Sequence, residues 1–343
     1  MRILLTGGCG FIGSNFVRFV LRERPDYAIV NVDALTYSGN PENLTGIEQE
    51  FAGRYRFVKG DINDIDLMQS LIAECDAVVH MAAESHVDRS ILDARPFVVT
   101  NVLGTQTLLD ATRRTDPDNK KRFVHVSTDE VFGDLPLDDP SQKFRESTPY
   151  APSSPYSSSK AASDMIARAY AHTFGMNICI TNCSNNFGPY QFPEKVIPLF
   201  VTNLIEGKKV PLYGDGRNVR DWLHVEDHCE AVLAVLEQGR PGESYCIGGN
   251  NERSNLELTH AILQLMGKDA SSIQPVKDRL GHDRRYAIDP RKIKSELGWE
   301  PTRSKWPDAL AATVKWYVDH PRWWQRVKSG EYRKYYDQQY AGR

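Results

Sequence analysis

Short apolar runs alternate with amphipathic stretches along the first half of this chain. Residues 2–6, 28–32, 55–58, 77–81, 122–127 and 177–181 each have the length and β-branched content of a buried strand. Helix-like segments lie between several of them: one from Ser14, then 64–73, 94–114 and 156–173. Such alternation specifies a parallel sheet with helices on both faces. Ligands of such sheets bind in the loops at the C-terminal ends of the strands. The rule gathers residues 7–13, Asp33, Asp61, Ile62, 81–85, 128–130 and 182–186 along one edge.

Beyond residue 186 the pattern is interrupted by Pro189, Pro193, Pro198 and Pro211. At 343 residues the chain is long for one compact core, so a large domain plus a smaller lobe is expected. The division is placed at 1–185 for the sheet domain, with a later contribution from about 222–250, and 186–343 for most of the lobe. Three runs stand out in the lobe, 195–200, 215–222 and 278–286, the last two with arginines amid aromatic side chains. They suit a diphosphate and a stacked base, and equally a solvated loop. The tail carries Trp316, Trp323, Trp324, Tyr332, Tyr335 and Tyr336, which are expected to pack on the lobe.

The loop after the first strand reads Gly7-Gly8-Cys9-Gly10-Phe11-Ile12-Gly13. Glycines at 8, 10 and 13 match the dinucleotide-binding spacing, and those at 7, 10 and 13 overlay it. They permit a tight turn, let the backbone approach a pyrophosphate, and let helix pack closely on strand. Asp33 closes the second strand about twenty residues past Gly13, where a carboxylate suits the ribose hydroxyls of NAD and repels the 2′-phosphate of NADP. Neither Ala34 nor Leu35 supplies an arginine for that phosphate. A Gly-rich turn in an unrelated α/β protein is the bland alternative. The fold expected is α/β: a Rossmann-type doubly wound parallel sheet with a smaller C-terminal substrate-binding lobe.

Tyr156-Ser157-Ser158-Ser159-Lys160 puts a phenol and an ammonium on one helix face. Ser154 suits an N-cap and Pro155 a first helical position, so the helix is expected to begin at the tyrosine. An ammonium about 4 Å from the phenol favours phenolate by about 4 kcal/mol at an effective dielectric near 20. That is about three pKa units, which brings the phenol towards neutrality and makes it a base for alcohol oxidation. A chance meeting on a helix surface is the alternative. Upstream, Ser127-Thr128-Asp129-Glu130 ends a hydrophobic strand. Two adjacent carboxyls are ordinarily a solvated turn, and simple alcohol oxidation does not need them. Close to a cofactor they would perturb one another's pKa, which suits one acid and one base.

Composition narrows the class. Hydrophobic residues at 41% and charged residues at 25% are ordinary globular values. A net charge of −3 gives no electrostatic reason to expect nucleic acid or an anionic membrane as partner. Cysteines at 9, 75, 179, 183, 229 and 246 form no CxxC pair and no ligand-like cluster with histidine, so neither a disulfide framework nor a metal site is expected. The apolar run at the N-terminus is too short for a signal peptide, and a reduced cytoplasmic protein is expected.

Residues 6–13, Ala82-Ala83-Glu84-Ser85-His86-Val87-Asp88, Ser127–Glu130, the Tyr156/Lys160 pair, Pro193-Glu194-Lys195-Val196-Ile197-Pro198 and Gly281-His282-Asp283-Arg284-Arg285-Tyr286 together resemble the dTDP-glucose 4,6-dehydratases. These are extended short-chain dehydrogenase/reductases acting on nucleotide sugars, and the resemblance runs over nearly the whole length. The Thr-Asp-Glu triplet separates them from the sugar-nucleotide 4-epimerases. Cys9, where the family often has alanine, and Phe132 and Phe187, where tyrosine is common, are small departures.

The resemblance implies a redox-neutral sequence in deoxysugar biosynthesis. Tyr156, with Lys160, takes the proton of the glucose C4 hydroxyl while hydride passes to NAD, and Thr128 bonds that hydroxyl. Glu130 removes the C5 proton, Asp129 protonates the departing C6 hydroxyl, and hydride returns to C6. NAD would be held by Gly7, Gly10, Phe11, Ile12 and Gly13, and by Asp33, Ala34, Leu35 and Thr36. Asp61, Ile62, Met81, Ala82, Ala83, Ser85, Thr100 and Asn186 complete that set with Tyr156 and Lys160. The nucleotide sugar would be held by Ser85, Thr128, Asn185, Lys195, Val196, Ile197, Pro198, Leu199 and Phe200. Pro211, Leu212, Tyr213, Arg220, Asn255, Asp278, Arg279 and His282 complete the second set. Both thymidine and uridine diphosphosugars fit this reading. The resemblance also implies a homodimer joined through the helices at 94–114 and 156–173. Three rivals stand beside it: a nucleotide-sugar epimerase or decarboxylase, a dehydrogenase with net cofactor turnover, and a non-catalytic dinucleotide sensor. The Thr-Asp-Glu triplet argues against the first, and the intact proton-transfer set against the last.

Overall fold

The computed structural model describes residues 1–329, so Tyr332, Tyr335 and Tyr336 lie outside the described residues. Six strands run through the first half: β1 (Arg2–Thr6), β2 (Ala28–Asp33), β3 (Tyr55–Lys59), β4 (Ala77–His80), β5 (Arg122–Thr128) and β6 (Ile178–Cys183). Shorter ones follow: β7 (Asn185–Phe187), β8 (Val210–Tyr213), β9 (Val219–His224), β10 (Ser244–Ile247), β11 (Glu252–Ser254) and β12 (Ile273–Val276). Seven of them form a parallel sheet in the order β10-β6-β5-β4-β1-β2-β3. Successive side chains of a strand enter opposite faces. Ile3 and Leu5 accordingly join one buried cluster, and Leu4 joins the other. Burial on both faces is why these strands read as continuous apolar runs. The chain leaves β1 towards β2 and β3, then returns to β4 on the other side, so the topological switch point lies between the ends of β1 and β4.

Helix boundaries differ from expectation in instructive ways. The first helix is Phe11–Glu23, starting three residues before Ser14, because the glycine loop itself provides the N-cap at Gly10. Ile65–Ala73 is capped by Asp64, whose carboxylate accepts from the Leu67 N–H at 3.0 Å. The stretch expected as one helix over 94–114 is instead a short turn at Arg95–Phe97, a π-helical segment Val98–Leu103 and an α-helix Gly104–Thr115. Such π segments recur at functional sites, and this one carries Thr100 and Asn101. The Asn101 side chain accepts from the Glu84 N–H at 2.9 Å and donates to Ser159 Oγ at 2.8 Å. Pro155–Phe174 begins at the proline, one residue ahead of Tyr156, with Ser154 and Ser157 forming a reciprocal capping box.

The smaller sheets, β11-β9-β7 and β12-β8, enclose a second core containing Phe187, Ile197, Phe200, Trp222, Leu258 and Trp324. Trp323 and Trp324 are buried there, as expected of the tail. Strand β10 crosses back to the edge of the large sheet. All six cysteines are buried free thiols. Among the described residues, no helix is long and apolar enough to cross a membrane.

Candidate active site

The glycine loop is built so that only glycine fits. Gly7 has φ +73°, and a Cβ there would lie 2.7 Å from the Ala82 backbone. A Cβ on Gly13 would lie 2.2 Å from the Gly7 carbonyl oxygen. The helix beginning at Phe11 therefore starts hard against β1 and β4, with its first N–H groups at the switch point. At the end of β2, Asp33 Oδ2 accepts from the Cys9 N–H at 2.9 Å and Oδ1 from the Leu35 N–H at 2.8 Å. A cleft of about 310 Å³ runs along this edge. It is lined by Gly7, Gly10, Phe11, Ile12 and Gly13, by Asp33, Ala34, Thr36, Asp61 and Ile62, and by Met81, Ala82, Ala83, Ser85, Thr100 and Asn186. Leu35 is the exception, since its side chain packs against the core. A glycine cradle below a helix N-terminus, with a carboxylate at the neighbouring strand end, fits a dinucleotide with free ribose hydroxyls.

Thr128, Asp129, Glu130, Tyr156, Lys160, Asn185 and Lys195 line the same cleft. Thr128 ends β5, and its hydroxyl accepts from the Glu130 N–H at 3.3 Å and faces Asp129 Oδ1 at 3.3 Å. Asp129 is 1% exposed, and its Oδ2 has no hydrogen-bond partner among the described residues; the same holds for Asn185 Oδ1 and Arg279 Nε. Burial, reinforced by the Glu130 carboxylate, pushes the Asp129 pKa well above its ordinary value. Burial also raises Glu130, but Arg279, Lys195 and Arg220 pull it back down. Two adjacent carboxyls are thereby driven apart, with the proton favoured on Asp129 and the charge on Glu130.

Tyr156 departs from expectation. Burial first, then the Glu130 carboxylate, raises the phenol well above its usual range. Lys160 donates to the Val126 carbonyl at 2.9 Å, and burial lowers its own pKa. In the protein alone, the dry wall and the neighbouring carboxylate hold the phenol up, and it is not brought towards neutrality.

The residues expected to grip the nucleotide sugar divide. Lys195 Nζ donates to the Ser85 carbonyl at 2.9 Å at the cleft. Ile197, Leu199 and Phe200 belong to the lobe core, with Val196 packed against it and Pro198 buried in the same helix turn. A contiguous sequence run cannot all face one cleft when it winds as a helix. Pro211, Leu212 and Tyr213 lie on β8, with Tyr213 Oη 3.4 Å from Asp88 Oδ2. The Arg220 guanidinium covers the Tyr286 ring at 4.1 Å. Asn255 opens the helix Asn255–Leu265 and donates its N–H to the Asn218 carbonyl. His282 Nδ1 is 2.6 Å from Asp278 Oδ1, and burial beside Arg279 lowers its pKa to about 4, so it is a neutral, partnered ring. Arg284 pairs with the exposed Asp215 at 3.0 Å, as a solvated loop charge does.

Sequence reasoning missed Tyr37, Gln191 and Phe192 and gave Glu194 no role, and all four are on the cleft wall; Glu84 and Cys183, gathered at this edge without a role, line it too. The Tyr37 ring lies under the Arg89 guanidinium at 4.0 Å and edge-on to Phe192, and Arg89 Nε donates to Glu194 at 3.1 Å. Adjacency to Thr36 and Lys195 was the available signal for Tyr37 and Glu194. Nothing in the sequence joins residue 37 to residue 192.

Residues 4–305 match the family model described as GDP-mannose 4,6 dehydratase. The chain is 49% identical over 335 residues to the dTDP-glucose 4,6-dehydratase of Mycobacterium tuberculosis H37Rv, covering 98% of each. It is 47% identical to dTDP-glucose 4,6-dehydratase 1 of Escherichia coli K12, covering 100% of both. Among solved structures it is similar to the dTDP-glucose 4,6-dehydratase DesIV of Streptomyces venezuelae with NAD bound. The TM-score is 0.91 at 50% identity, covering 96% of this chain and 100% of that one. A UDP-glucuronic acid 4-epimerase from Bacillus cereus shares the fold at TM-score 0.84 but only 28% identity, covering 93% and 99%.

Proposed function

The chain belongs to the dTDP-glucose 4,6-dehydratase family of NAD-dependent hydro-lyases, and we propose that its cleft converts dTDP-glucose into dTDP-4-keto-6-deoxyglucose and water. NAD, held along the glycine loop and Asp33, supplies a two-electron acceptor that is restored within each turnover. Tyr156 takes the C4 hydroxyl proton only as phenolate, so its own proton must leave first; the Lys160 ammonium offsets part of the cost of charging a buried phenol, and Thr128 holds the C4 hydroxyl. Glu130, whose burial raises its pKa while Arg279, Lys195 and Arg220 offset part of that rise, removes the C5 proton that the 4-ketone acidifies. Asp129 keeps its proton until the C6 hydroxyl departs as water. The sugar is oxidised at C4 and reduced at C6, so electrons balance without external reductant.

One observation carries this reading. Asp129 presents a buried, unpartnered carboxyl oxygen with a raised pKa beside a carboxylate faced by three cations. A 4-epimerase or a simple alcohol dehydrogenase has no use for such a pair. Arg279 Nε, also buried without a partner, supports a diphosphate nearby. Strand β10 supports a cofactor domain of residues 1–185 completed from 222–250. Buried free thiols support a reducing, cytoplasmic setting. Exposed apolar side chains on the segments expected to dimerise, Val98, Leu103 and Met165, support a homodimer.

The test is to incubate the purified protein separately with dTDP-glucose and UDP-glucose, each deuterated at C4. Loss of one water with the deuterium now at C6 is expected, and the faster substrate gives the base preference. Unchanged sugar, an epimer, or deuterium in the solvent contradicts the assignment.

A further inference from the structure

Behind the reacting residues, one helical turn past Lys160, Asp164 is 0% exposed and has no part in the chemistry above. Its carboxylate is ringed by donors from separate parts of the chain. His125 Nε2 reaches Oδ1 at 3.0 Å, while Ser127 Oγ, the Tyr150 hydroxyl and Asn182 Nδ2 reach Oδ2 at 2.8, 2.8 and 3.2 Å. Four donors are close to the capacity of an ionised carboxylate. Two of them lead straight to the active site. Ser127 precedes Thr128, and Asn182 also donates to the Thr128 carbonyl at 3.2 Å.

The charge balance around Lys160 singles out the same residue. On β5, His125 carries its proton on Nε2 towards Asp164, its Nδ1 has no partner among the described residues, and burial keeps the ring neutral. On β4, His80 is tied between the Thr6 and Thr105 hydroxyls and is likewise neutral. On β6, the Cys183 thiol is pushed up by burial and stays uncharged. On its own helix, Tyr156 is a protonated phenol. Lys160 is itself buried, with its ammonium on the Val126 carbonyl. An ammonium in so dry a layer sheds its proton unless a carboxylate balances it.

We infer that Asp164 is a positioning residue for the reaction, supplying the counter-charge that keeps Lys160 protonated and anchoring the strand ends that present Thr128. The inference rests on the roles proposed above for Lys160 and Thr128. A purely structural Asp164 would hold the strands but leave Lys160 indifferent to its charge.

The decisive readout is the protonation midpoint of Lys160, followed in the whole protein by the ¹³C shift of its ε-carbon. The resonance is identified by its loss in Lys160→Met. Asp164→Asn keeps the shape and removes the charge, and should lower the midpoint by at least about one pH unit, a tenfold change in the equilibrium. Asp164→Glu keeps the charge and disturbs the fit, and should leave the midpoint within about half a unit while lowering kcat. In Asp164→Asn, kcat should fall about tenfold or more with KM little changed, as for a loss felt in the transition state. An unmoved midpoint in folded Asp164→Asn overturns the inference. A fallen midpoint in Asp164→Glu does so too, and that variant decides alone if Asp164→Asn does not fold. Absence of dehydratase activity in the unsubstituted protein would instead remove the reading of the site on which this rests.

Discussion

Asp33 Oδ2 accepts the backbone N–H of Cys9 at 2.9 Å, which ties the end of β2 to the glycine loop. The same carboxylate takes the Leu35 N–H, so its orientation at the cleft wall is fixed from both sides before any ligand arrives. A preset carboxylate holds ribose hydroxyls without reorganisation, and it repels a phosphate at the same place. NAD should therefore bind far better than NADP. Hydrogen bonds to a charged group are worth about 1.5–3 kcal/mol each. Asp33→Ala should weaken NAD binding tenfold or more and narrow its advantage over NADP, as read by calorimetry. Equal affinity of the unsubstituted protein for both cofactors would contradict this.

The carboxyl pair sets the pH profile. Glu130 must be ionised to take the C5 proton, so turnover falls as pH drops through its raised pKa. Asp129 must be protonated to release water, so turnover also falls as pH rises through its own pKa, raised further. A bell-shaped kcat profile is expected, with the acid limb above the ordinary glutamate range. An acid limb at or below pH 4.5, the usual glutamate value, would mean that the raised carboxylate is not the base.

A third expectation concerns assembly. Val98, Leu103 and Met165 are 54, 50 and 49% exposed on the segments expected to dimerise. Exposed apolar patches on such helices mark interfaces. Light scattering should give twice the chain mass, and Val98→Glu with Leu103→Glu should reduce it to one chain. A monomer without these substitutions would remove the proposal.

Much of this was legible in the sequence because the relevant physics is local. Apolar runs marked β1 to β6, Ser154 and Pro155 marked the helix start, and the 7–13 spacing marked a turn in which a Cβ on Gly7 or Gly13 would clash with backbone. What escaped depends on long-range packing. Spacing places Tyr156 and Lys160 on one face, but it does not report that the face is dry, which reverses the direction of the phenol's shift. Hydrophobic content cannot distinguish a π segment from an α-helix over Val98–Leu103. Contiguity suggested that 195–200 face one ligand, whereas winding sends Ile197 and Phe200 into the core. Tyr37 meets Phe192 only because two distant loops close over one cleft.

The central claim is the division of labour between Asp129 and Glu130, and a substrate with a better leaving group tests it most directly. General acid catalysis is typically worth about 10²–10⁴-fold. Asp129→Asn should lose turnover of that order with dTDP-glucose and recover much of it with the 6-fluoro analogue, because fluoride departs with little help from an acid. Glu130→Gln should be slow with both substrates and should fail to exchange the C5 hydrogen with solvent, since that proton must leave whichever group departs. Rescue of Asp129→Asn alone is the predicted result. Equal rescue of both variants, or rescue of Glu130→Gln alone, would contradict the assignment of acid and base.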